Sequence, residues 1–389
     1  MIREAVILAA GEGQRLRPFT ETKPKVMIKV ANIPILEYAV NALKGVGIRD
    51  IVIVVGYKKE RIIDHFGDGS ESGVNIRYAE QKQQIGTAHA LKQAENMVDE
   101  TFIVLPGDNI IDFRALESIE EPWTLLYQRV KEVSKYGAVV LEGGKVVTIV
   151  EKPLDARSHL ANTGIYALTT EIFDEIGNET SLVAVLNSCA KAREIRAVEN
   201  RGVWMDVVYP WDVLKVNEHA MFFSGKSIAG RIEDKATIIG NVRIGRNTLI
   251  KGNTYIRGPV VIGEGCEIGP NAVIMPSTSI GDNVKLGAHT YISNAVIDGG
   301  VIIAAGTYLE NSVVSSGCVI GARVTASSGS ADLKVADEWH NLETGVFIGE
   351  GCSIGANVLA EPGTIIGSNS TIAPMNTIRG VIPSDSRVL

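Results

Sequence analysis

An aliphatic residue recurs at every sixth position along the second half of the chain. Isoleucine or leucine occupies ten such positions from 238 to 292, and the series resumes from 348 to 378 with alanine at 360. A helix repeats every 3.6 residues and a strand every two, so neither gives this spacing. A parallel β-helix does, because each short strand turns one aliphatic side chain inward before a corner formed by glycine or asparagine. The sequence therefore predicts a β-helix over residues 236–389.

Two polar segments mark the limits of this ladder. The spacing is interrupted between 298 and 345, where the polar stretch Ala326 to Thr344 predicts a loop that projects from the β-helix. We expect this irregular insertion near residues 323–345. A polar, glycine-bearing segment at 224–235 predicts a linker between the β-helix and the first half of the chain.

The first half of the chain alternates apolar runs with amphipathic segments. Residues 50–56 and 101–105 are buried-strand runs, whereas 34–46, 58–66 and 88–98 are helical in pattern. This alternation predicts an α/β domain over residues 1–223 with a Rossmann-like, mainly parallel sheet covered by helices. Ligands of such sheets bind at the carboxyl ends of the strands.

Charge and cysteine content restrict the class of protein. The 389 residues carry a formal net charge of −7, which argues against a general nucleic-acid-binding surface. The four cysteines include no Cys-x-x-Cys pair, which disfavours a zinc site and suits a reducing compartment. No signal peptide or membrane-spanning apolar run is visible, so we expect a cytoplasmic protein without nucleic-acid or membrane partners.

A glycine-bearing, cationic loop follows the first apolar run. The run ends at Ala10, and Gly11, Gly13, Arg15 and Lys25 follow within fifteen residues. Glycines allow backbone N–H groups to approach phosphate oxygens, and the cations neutralise their charge, so the stretch predicts a polyphosphate site. Neither a P-loop nor a dinucleotide fingerprint is present, because the glycines and lysine lack the required spacing.

The full string from Leu8 to Pro18, followed by Pro24 and Lys25, resembles the signature of the sugar-phosphate nucleotidylyltransferases. These enzymes join a nucleoside triphosphate to a sugar 1-phosphate and release pyrophosphate. The chain looks most like archaeal glucose-1-phosphate thymidylyltransferases and N-acetylglucosamine-1-phosphate uridylyltransferases, which carry a C-terminal left-handed β-helix of hexapeptide repeats. The resemblance implies that Arg15 grips the β- and γ-phosphates and that Lys25 bridges the α-phosphate and the sugar phosphate.

Two carboxylates are candidate ligands of the Mg²⁺ that the resemblance implies. Asp108 follows the strand at 101–105, and Asp206 ends the segment Gly202 to Asp206, which matches the family's second metal-binding segment. Carboxylate oxygens suit a hard divalent cation. The alternatives are an Asx turn at Asp108 and a helix N-cap at Asp206.

Further segments are similar to the family's substrate-binding motifs. For the nucleotide, the resemblance implies contacts from Leu8, Ala10, Gly11, Gly13, Gln81, Gly86 and Thr87. A glutamine offers a donor and an acceptor to a pyrimidine edge, which favours UTP or dTTP. For the sugar phosphate, the corresponding residues are Gly137, Glu151, Lys152 and Asn162.

The β-helix raises a second catalytic hypothesis. Bifunctional relatives acetylate amino-sugar phosphates there with a histidine base, and the similar segment here is Gly287 to Asn294. Tyr291 takes the histidine position, while His289 lies two residues earlier and, by strand alternation, on the same side. A tyrosine titrates too high for an efficient base near neutrality. The alternative role of the β-helix is assembly, with a homotrimer expected.

The sequence thus predicts Mg²⁺-dependent transfer of a nucleotidyl group from UTP or dTTP to glucose 1-phosphate or N-acetylglucosamine 1-phosphate. A bifunctional enzyme and a guanylyltransferase acting on mannose 1-phosphate remain alternatives. A non-catalytic regulatory subunit would be expected to lose catalytic cations or carboxylates, yet Arg15, Lys25, Asp108 and Asp206 are all present.

Overall fold

The computed structural model describes residues 2–153, 158–222 and 224–389. The chain divides into two compact units, one of Met1–Glu12 with Ile35–Asp206 and one of Gly13–Pro34 with Val207–Leu389. We call Gly13–Pro34 the cationic loop, and it belongs to the same unit as the β-helix. Residue 223, where we predict the first domain to end, lies outside the described residues, and the predicted domain boundaries stay a prediction.

The secondary structure before the β-helix alternates strands and helices in chain order. The strands are β1 (Glu4–Ala9), β2 (Lys29–Val30), β3 (Ile33–Pro34), β4 (Asp50–Val55), β5 (Asn75–Glu80), β6 (Thr101–Pro106), β7 (Asn109–Ile111), β8 (Thr124–Arg129), β9 (Gly137–Glu142), β10 (Lys145–Glu151), β11 (Leu160–Thr169), β12 (Arg196–Glu199) and β13 (Trp204–Asp206). The α-helices are α1 (Ile35–Gly45), α2 (Glu60–Phe66), α3 (Thr87–Lys92), α4 (Phe113–Leu116), α5 (Ile172–Ile176), α6 (Leu182–Ala192) and α7 (Asp212–Met221). Short 3-10 turns occupy Gln14–Leu16, Phe19–Glu21, Lys25–Met27, Ser70–Ser72 and Glu95–Met97.

The first unit contains a nine-stranded sheet with the order β5-β4-β1-β6-β11-β8-β12-β10-β9. The strands β5, β4, β1 and β6 are parallel, as the alternating pattern predicts. The other half is mixed, because β11 runs antiparallel to β6 and β8, and β9 and β10 form a hairpin. Gly143 and Gly144 make that hairpin's tight turn with φ of 57° and 82°. Strand β1 is central and its middle residues are fully buried, as expected for a strand covered on both faces.

The second unit contains the predicted left-handed β-helix, whose strands form three parallel sheets. One sheet contains Ser227–Ile228, Val242–Ile244, Val260–Ile262, Thr278–Ile280, Val296–Ile297, Val313–Val314, Phe347–Ile348, Ile365–Ile366 and Val381–Ile382. The next contains Arg231–Ile232, Leu249–Ile250, Glu267–Ile268, Lys285–Leu286, Ile302–Ile303, Val319–Ile320, Ser353–Ile354, Thr371–Ile372 and Arg387–Val388. The third contains Thr237–Ile239, Tyr255–Arg257, Val273–Ile274, Tyr291–Ser293, Tyr308–Glu310, Thr325–Ala326, Leu359–Ala360 and Thr377–Ile378.

The β-helix continues through most of the predicted interruption. Ile238 pairs with Ile256, so a regular coil takes 18 residues, whereas Ile280 pairs with Ile297 and Ile297 with Val314, so these coils take 17. One residue fewer at a corner shifts the phase of the six-residue ladder without changing which side chains point inward. The spacing rule therefore loses the ladder after position 292 although the coils remain.

Only the segment from Gly329 to Thr344 leaves the coils. It forms two antiparallel strands, Gly329–Val335 and Glu338–Thr344, rather than the predicted loop. Ala336 and Asp337 connect them with φ of 50° and 66°. Ala331 and Leu333 alternate on one buried face, which is the strand signal within this polar stretch. We call this segment the inserted hairpin.

The β-helix also begins earlier than predicted, inside the expected linker at 224–235. Ser227–Ile228 pairs with Arg243–Ile244, and Arg231–Ile232 pairs with Leu249–Ile250. The segment is polar because this first coil has no neighbour on its outer side, and Ile228 and Ile232 remain 42% and 36% exposed. Each helix in the described part of the chain is too short or too polar to cross a lipid bilayer.

Candidate functional site

The carboxyl end of β1 carries the first three predicted nucleotide contacts. Backbone hydrogen bonds fix Leu8 and Ala10, whose carbonyls accept from the N–H groups of Gly107 at 2.9 Å and Tyr57 at 3.0 Å. Gly11 is exposed, and a Cβ there would meet nothing within 4 Å. The strand end is thus rigid up to Ala10, and Gly11 offers an open backbone surface.

One predicted metal ligand, Asp206, lies on a short strand pair of the first unit, and the other, Asp108, directly precedes that pair. Strand β13 pairs antiparallel with β7 so that Asp206 lies opposite Asn109, the residue after Asp108. Both aspartates are partly exposed. Carboxylates at these two positions offer oxygen donors of the kind that Mg²⁺ prefers, and Mg²⁺ usually completes its shell with water and substrate phosphate. Within the described residues, no group of three or more His, Cys, Asp or Glu side chains could hold a metal ion.

Three of the four predicted sugar-binding residues come together on β9, β10 and β11. Glu151 pairs with Gly137, and a Cβ on Gly137 would lie 3.3 Å from Glu151 Oε1 and 3.4 Å from Asn162 Cβ. Glycine here leaves room beside the carboxylate and the amide. Lys152 is exposed, with φ of 42° and its backbone N–H donating to the Tyr136 carbonyl at 3.0 Å.

Two aromatic residues that sequence reasoning did not assign complete this cluster. The Tyr166 hydroxyl accepts from Asn162 Nδ2 at 2.7 Å. Burial raises the pKa of Tyr166, the hydrogen bond from Asn162 opposes that shift, and the charge of Glu151 adds to it. Trp204 packs on Tyr136 with ring centroids 5.1 Å apart and lies two residues before Asp206 in β13. Their signal in the sequence is that both aromatics lie inside segments that match the family's motifs.

The predicted base-binding segment is held by internal hydrogen bonds. Gln81 is 3% exposed, and its Nε2 lies 3.0 Å from the Gly86 carbonyl and 2.9 Å from His89 Nδ1. Gly86 has φ of 147°, and a Cβ there would lie 2.2 Å from the Thr180 carbonyl oxygen. Thr87 begins α3 and accepts from the Leu182 N–H at 3.0 Å. Packing against Thr180 therefore requires glycine at position 86, independently of any contact with a nucleotide base.

The two predicted catalytic cations lie on the cationic loop of the second unit. Arg15 is exposed in the first short turn, and Lys25 begins the third, after Pro24. Gly13 has φ of 78°, and a Cβ there would lie only 2.7 Å from Lys25 Cβ. The Gly13 carbonyl also accepts from Thr20 Oγ1 at 3.0 Å. The loop therefore folds back on itself, and glycine at position 13 makes room for the lysine.

Tyr209 links Arg15 to the inserted hairpin, a connection that no sequence pattern indicates. Its hydroxyl donates to Glu338 Oε2 at 2.6 Å and is also hydrogen-bonded to Arg15. Burial raises the pKa of Tyr209, Glu338 adds to the shift, and Arg15 opposes it. The tyrosine ring also packs on His340 with centroids 4.5 Å apart.

The two residues of the alternative acetyltransferase site do not share a strand. His289 is an exposed turn residue with φ of 58°, and the strand begins only at Tyr291. Strand alternation therefore gives no basis for placing both on one side, because it does not extend through a turn. The Tyr291 ring stacks on Tyr308 at 4.7 Å with an interplanar angle of 5°.

An α/β domain with two aspartates at a short strand pair, together with a cationic loop and a hexapeptide β-helix, defines a class of nucleotide-handling transferases. The family model described as nucleotidyl transferase matches residues 4–221, the GMPPB C-terminal domain matches 256–340, and the bacterial transferase hexapeptide (six repeats) matches 345–380. The chain belongs to the nucleotidyl transferase family, which confirms the predicted family and fold class.

Similar proteins cover either the first domain or the whole chain. The bifunctional protein GlmU of Methanococcus aeolicus is 31% identical over 99% of this chain and 97% of its own length. The UTP–glucose-1-phosphate uridylyltransferase AglF of Haloferax volcanii is 37% identical over 54% of this chain and 93% of its own. The solved UDP-glucose pyrophosphorylase complexed with UDP-glucose is 28% identical, with a TM-score of 0.51 over 57% of this chain and 98% of that one. Matches to five other methanogen GlmU proteins span only 60–62% of their length.

Proposed function

We propose that this chain transfers a nucleotidyl group from UTP or dTTP to glucose 1-phosphate or N-acetylglucosamine 1-phosphate in a Mg²⁺-dependent reaction. The observation that carries the proposal is β13 and its partner strand. Asp206 lies opposite Asn109 at one end of β13, and Trp204 packs on Tyr136 at the other end. Tyr136 directly precedes Gly137, which together with Glu151 and Asn162 forms what we call the sugar-side cluster. One short strand thus connects the proposed metal ligands to the residues proposed to bind the sugar hydroxyls.

The chemistry needs charge neutralisation rather than a protein base. The phosphate of the sugar 1-phosphate is already a nucleophile; its oxygen attacks the α-phosphorus, and the bond to the β-phosphate breaks to release pyrophosphate. Arg15 and Lys25 bind the triphosphate and neutralise charge that develops on the leaving group. Asp108 and Asp206 would hold Mg²⁺, which supplies further neutralisation of phosphate charge. In-line positioning accounts for the remaining catalysis.

The sugar-side cluster supports recognition of a hydroxyl-rich ligand. Glu151 presents a carboxylate acceptor beside Gly137, and Asn162 is oriented by Tyr166 and by the Gly164 N–H, which donates to its Oδ1 at 3.2 Å. Lys152 is exposed next to Glu151 and carries the charge for the sugar phosphate. The names of AglF and of the UDP-glucose pyrophosphorylase structure favour a gluco-configured sugar with a uracil base.

The test is pyrophosphate release with and without Mg²⁺ across four nucleoside triphosphates and the 1-phosphates of glucose, N-acetylglucosamine, galactose and mannose. We expect Mg²⁺-dependent turnover with UTP or dTTP and a gluco-configured sugar. Turnover only with GTP and mannose 1-phosphate would contradict the assignment of Gln81, Gly86 and Thr87 to a pyrimidine. No turnover in any combination would contradict the enzyme assignment.

We also propose that the β-helix assembles a homotrimer. Tyr255, Val273, Tyr291, Tyr308 and Leu359 form a nearly continuous aromatic and aliphatic column on the third sheet, and Leu359 is 43% exposed. Light scattering should give three times the 41.7 kDa chain mass. Leu359→Asp should lower that mass, whereas Thr371→Asp on the neighbouring sheet should not.

The predicted cytoplasmic location stays a prediction, and the contacts of His289 and Tyr291 give acetyl transfer no support.

A further inference from the structure

An ion-pair cluster joins the cationic loop to the β-helix within the second unit. Asp298 Oδ2 lies 2.7 Å from Lys23 Nζ, and Asp298 Oδ1 lies 3.7 Å from Lys29 Nζ. The side chains of Lys23 and Asp298 are each only 13% exposed. The Gly299 N–H donates to Asp298 Oδ1 at 2.8 Å, so the carboxylate is itself held in one orientation. Two lysines of the loop therefore share one fixed, largely buried anion.

A second pair of contacts lies on the side of the loop that precedes Lys23. Thr22 Oγ1 donates to Glu350 Oε2 at 2.6 Å, and Glu21 Oε2 accepts from the Ser368 N–H at 3.1 Å. Both β-helix residues lie in coils beyond the inserted hairpin. Residues 21–23 are thus attached through three successive side chains.

The far end of the loop is attached through two asparagines, of which Asn217 is buried. Asn217 is fully buried in α7; its Oδ1 accepts from the Ala31 N–H at 2.8 Å, and its Nδ2 donates to the Ser277 carbonyl at 2.9 Å. Asn32 Nδ2 donates to the Ile280 carbonyl at 2.6 Å. Lys25 consequently lies within residues 23–32, and both ends of this segment are anchored by the β-helix or by α7.

We propose that Asp298 is a positioning residue for nucleotide binding, acting through Lys23 to set the conformation in which the cationic loop presents Lys25 and Arg15. Lys23 is separated from Lys25 only by Pro24, whose ring restricts φ, so the anchored lysine and the phosphate-binding lysine move together. Preorganised cations bind phosphate more tightly because their ordering entropy is lost before the ligand arrives. The β-helix is therefore part of the nucleotide-binding apparatus as well as an assembly domain.

The first experiment compares wild-type protein with Asp298→Asn in the full-length chain, and it rests on the proposed function. The amide keeps the shape but removes the charge that fixes Lys23 and Lys29. We expect the KM for the nucleotide to rise about tenfold, as for loss of a charge-assisted contact, and the KM for the sugar phosphate to rise less, because Lys152 also binds its charge. Asp385→Asn is the matched control, because Asp385 is an exposed turn residue of the same β-helix with φ of 59°.

A KM change that is largest for the nucleotide separates positioning from damage to the fold. A variant that is merely less stable would lower the active fraction and hence kcat, with both KM values unchanged. Thermal unfolding of each variant provides the independent measure of stability. An inactive wild type would contradict the proposed function, whereas an active wild type with an unaltered nucleotide KM in Asp298→Asn would overturn the positioning role alone.

A double-mutant cycle tests whether Asp298 acts through Lys23. Lys23→Gln alone should raise the nucleotide KM, and Lys23→Gln with Asp298→Asn should be no worse than the more severe single variant, since both remove the same ion pair. Additive effects of the two substitutions would show that Asp298 does not act through Lys23 and would overturn the inference.

Discussion

The sugar-side cluster and the cationic loop are held in place by different kinds of interaction. Gly137, Glu151 and Asn162 lie on β9, β10 and β11, so backbone ladders fix their relative positions. The cationic loop has only short turns and the two-residue strands β2 and β3, and its conformation depends on side chains such as Asp298 and Asn217. Many backbone hydrogen bonds hold the strands in position, whereas a few side chains hold the cationic loop.

Because of this difference, substitutions in the two regions should affect substrate binding in different ways. On the ladder-held side, only residues that touch the substrate or crowd the pocket should affect binding. On the loop side, residues far from any phosphate should also matter, because removing one partner of a largely buried ion pair leaves the other charge unpaired. Substitutions in the two regions should therefore differ in the substrate whose binding they weaken, whereas a substitution at the proposed metal site should slow every turnover.

The largest effect is expected for Asp108→Asn. The amide lacks the negative charge that a hard cation requires, so Mg²⁺-dependent turnover should fall roughly a thousandfold, equivalent to several kcal/mol of transition-state stabilisation. Stability should be unchanged, because β7 and β13 are joined by backbone hydrogen bonds rather than by this side chain. The measurement is pyrophosphate release as a function of Mg²⁺ concentration, together with thermal unfolding.

The control for this substitution is Asp99→Asn, an exposed aspartate outside the proposed site. It should retain full turnover at every Mg²⁺ concentration. Full activity of Asp108→Asn would remove this residue from the metal site.

Gly13→Ala should give the next largest effect, on the loop side. The alanine would adopt φ of 78° and place its Cβ 2.7 Å from Lys25 Cβ. We expect a loss of about 1–3 kcal/mol of stability from the left-handed backbone and the contact. The nucleotide KM should rise more than the sugar phosphate KM; steady-state kinetics measures both, and denaturant unfolding measures the loss of stability.

Gly11→Ala is the informative comparison for Gly13→Ala. Position 11 has open space around a Cβ, so its free energy of unfolding should change by less than about 0.5 kcal/mol. Equal destabilisation by the two alanines would contradict the packing argument for Gly13.

The sequence predicts the two regions to different extents. The six-residue spacing correctly identifies inward residues from Ile244 to Ile292, because each is buried in the β-helix core. It fails at the 17-residue coils, since a fixed period cannot follow the loss of one corner residue. Motif order predicts that Gly137, Glu151 and Asn162 bind the same substrate, and strand pairing brings the three residues together.

The residues that hold the cationic loop have no comparable signal. Lys23 and Asp298 are separated by 275 positions, and neither belongs to a motif or a periodic pattern. Tyr209 and Glu338 are likewise joined only by the folded chain. Local sequence encodes local geometry, so a loop whose order comes from distant side chains is the part that sequence reasoning leaves out.

A smaller and opposite kinetic effect is expected for Gly137→Ala on the sugar side. The new Cβ would lie 3.1 Å from Ile149 Cγ2 and 3.3 Å from Glu151 Oε1, so neighbours must shift by a few tenths of an ångström. We expect the sugar phosphate KM to rise by up to about tenfold, equivalent to about 1.4 kcal/mol, with the nucleotide KM unchanged. Gly13→Ala and Gly137→Ala should therefore have their larger effect on different substrates, and the same pattern of KM changes in both would contradict the separation of the two regions.

The smallest effect concerns acid and the ion pair that anchors the loop. Burial raises the pKa of Asp298, but Lys23 and Lys29 outweigh it, so the folded-state pKa lies below the ordinary 3.8. A carboxyl whose pKa is depressed by folding stabilises the protein above its unfolded pKa and loses that contribution as pH falls through the folded pKa. The stability advantage of wild type over Asp298→Asn, on the order of 1 kcal/mol, should thus be constant above about pH 5 and shrink below about pH 4. Denaturant unfolding at a series of pH values measures it, with Asp385→Asn as the reference; an advantage that grows on acidification would show that Asp298 is not held ionised by the two lysines.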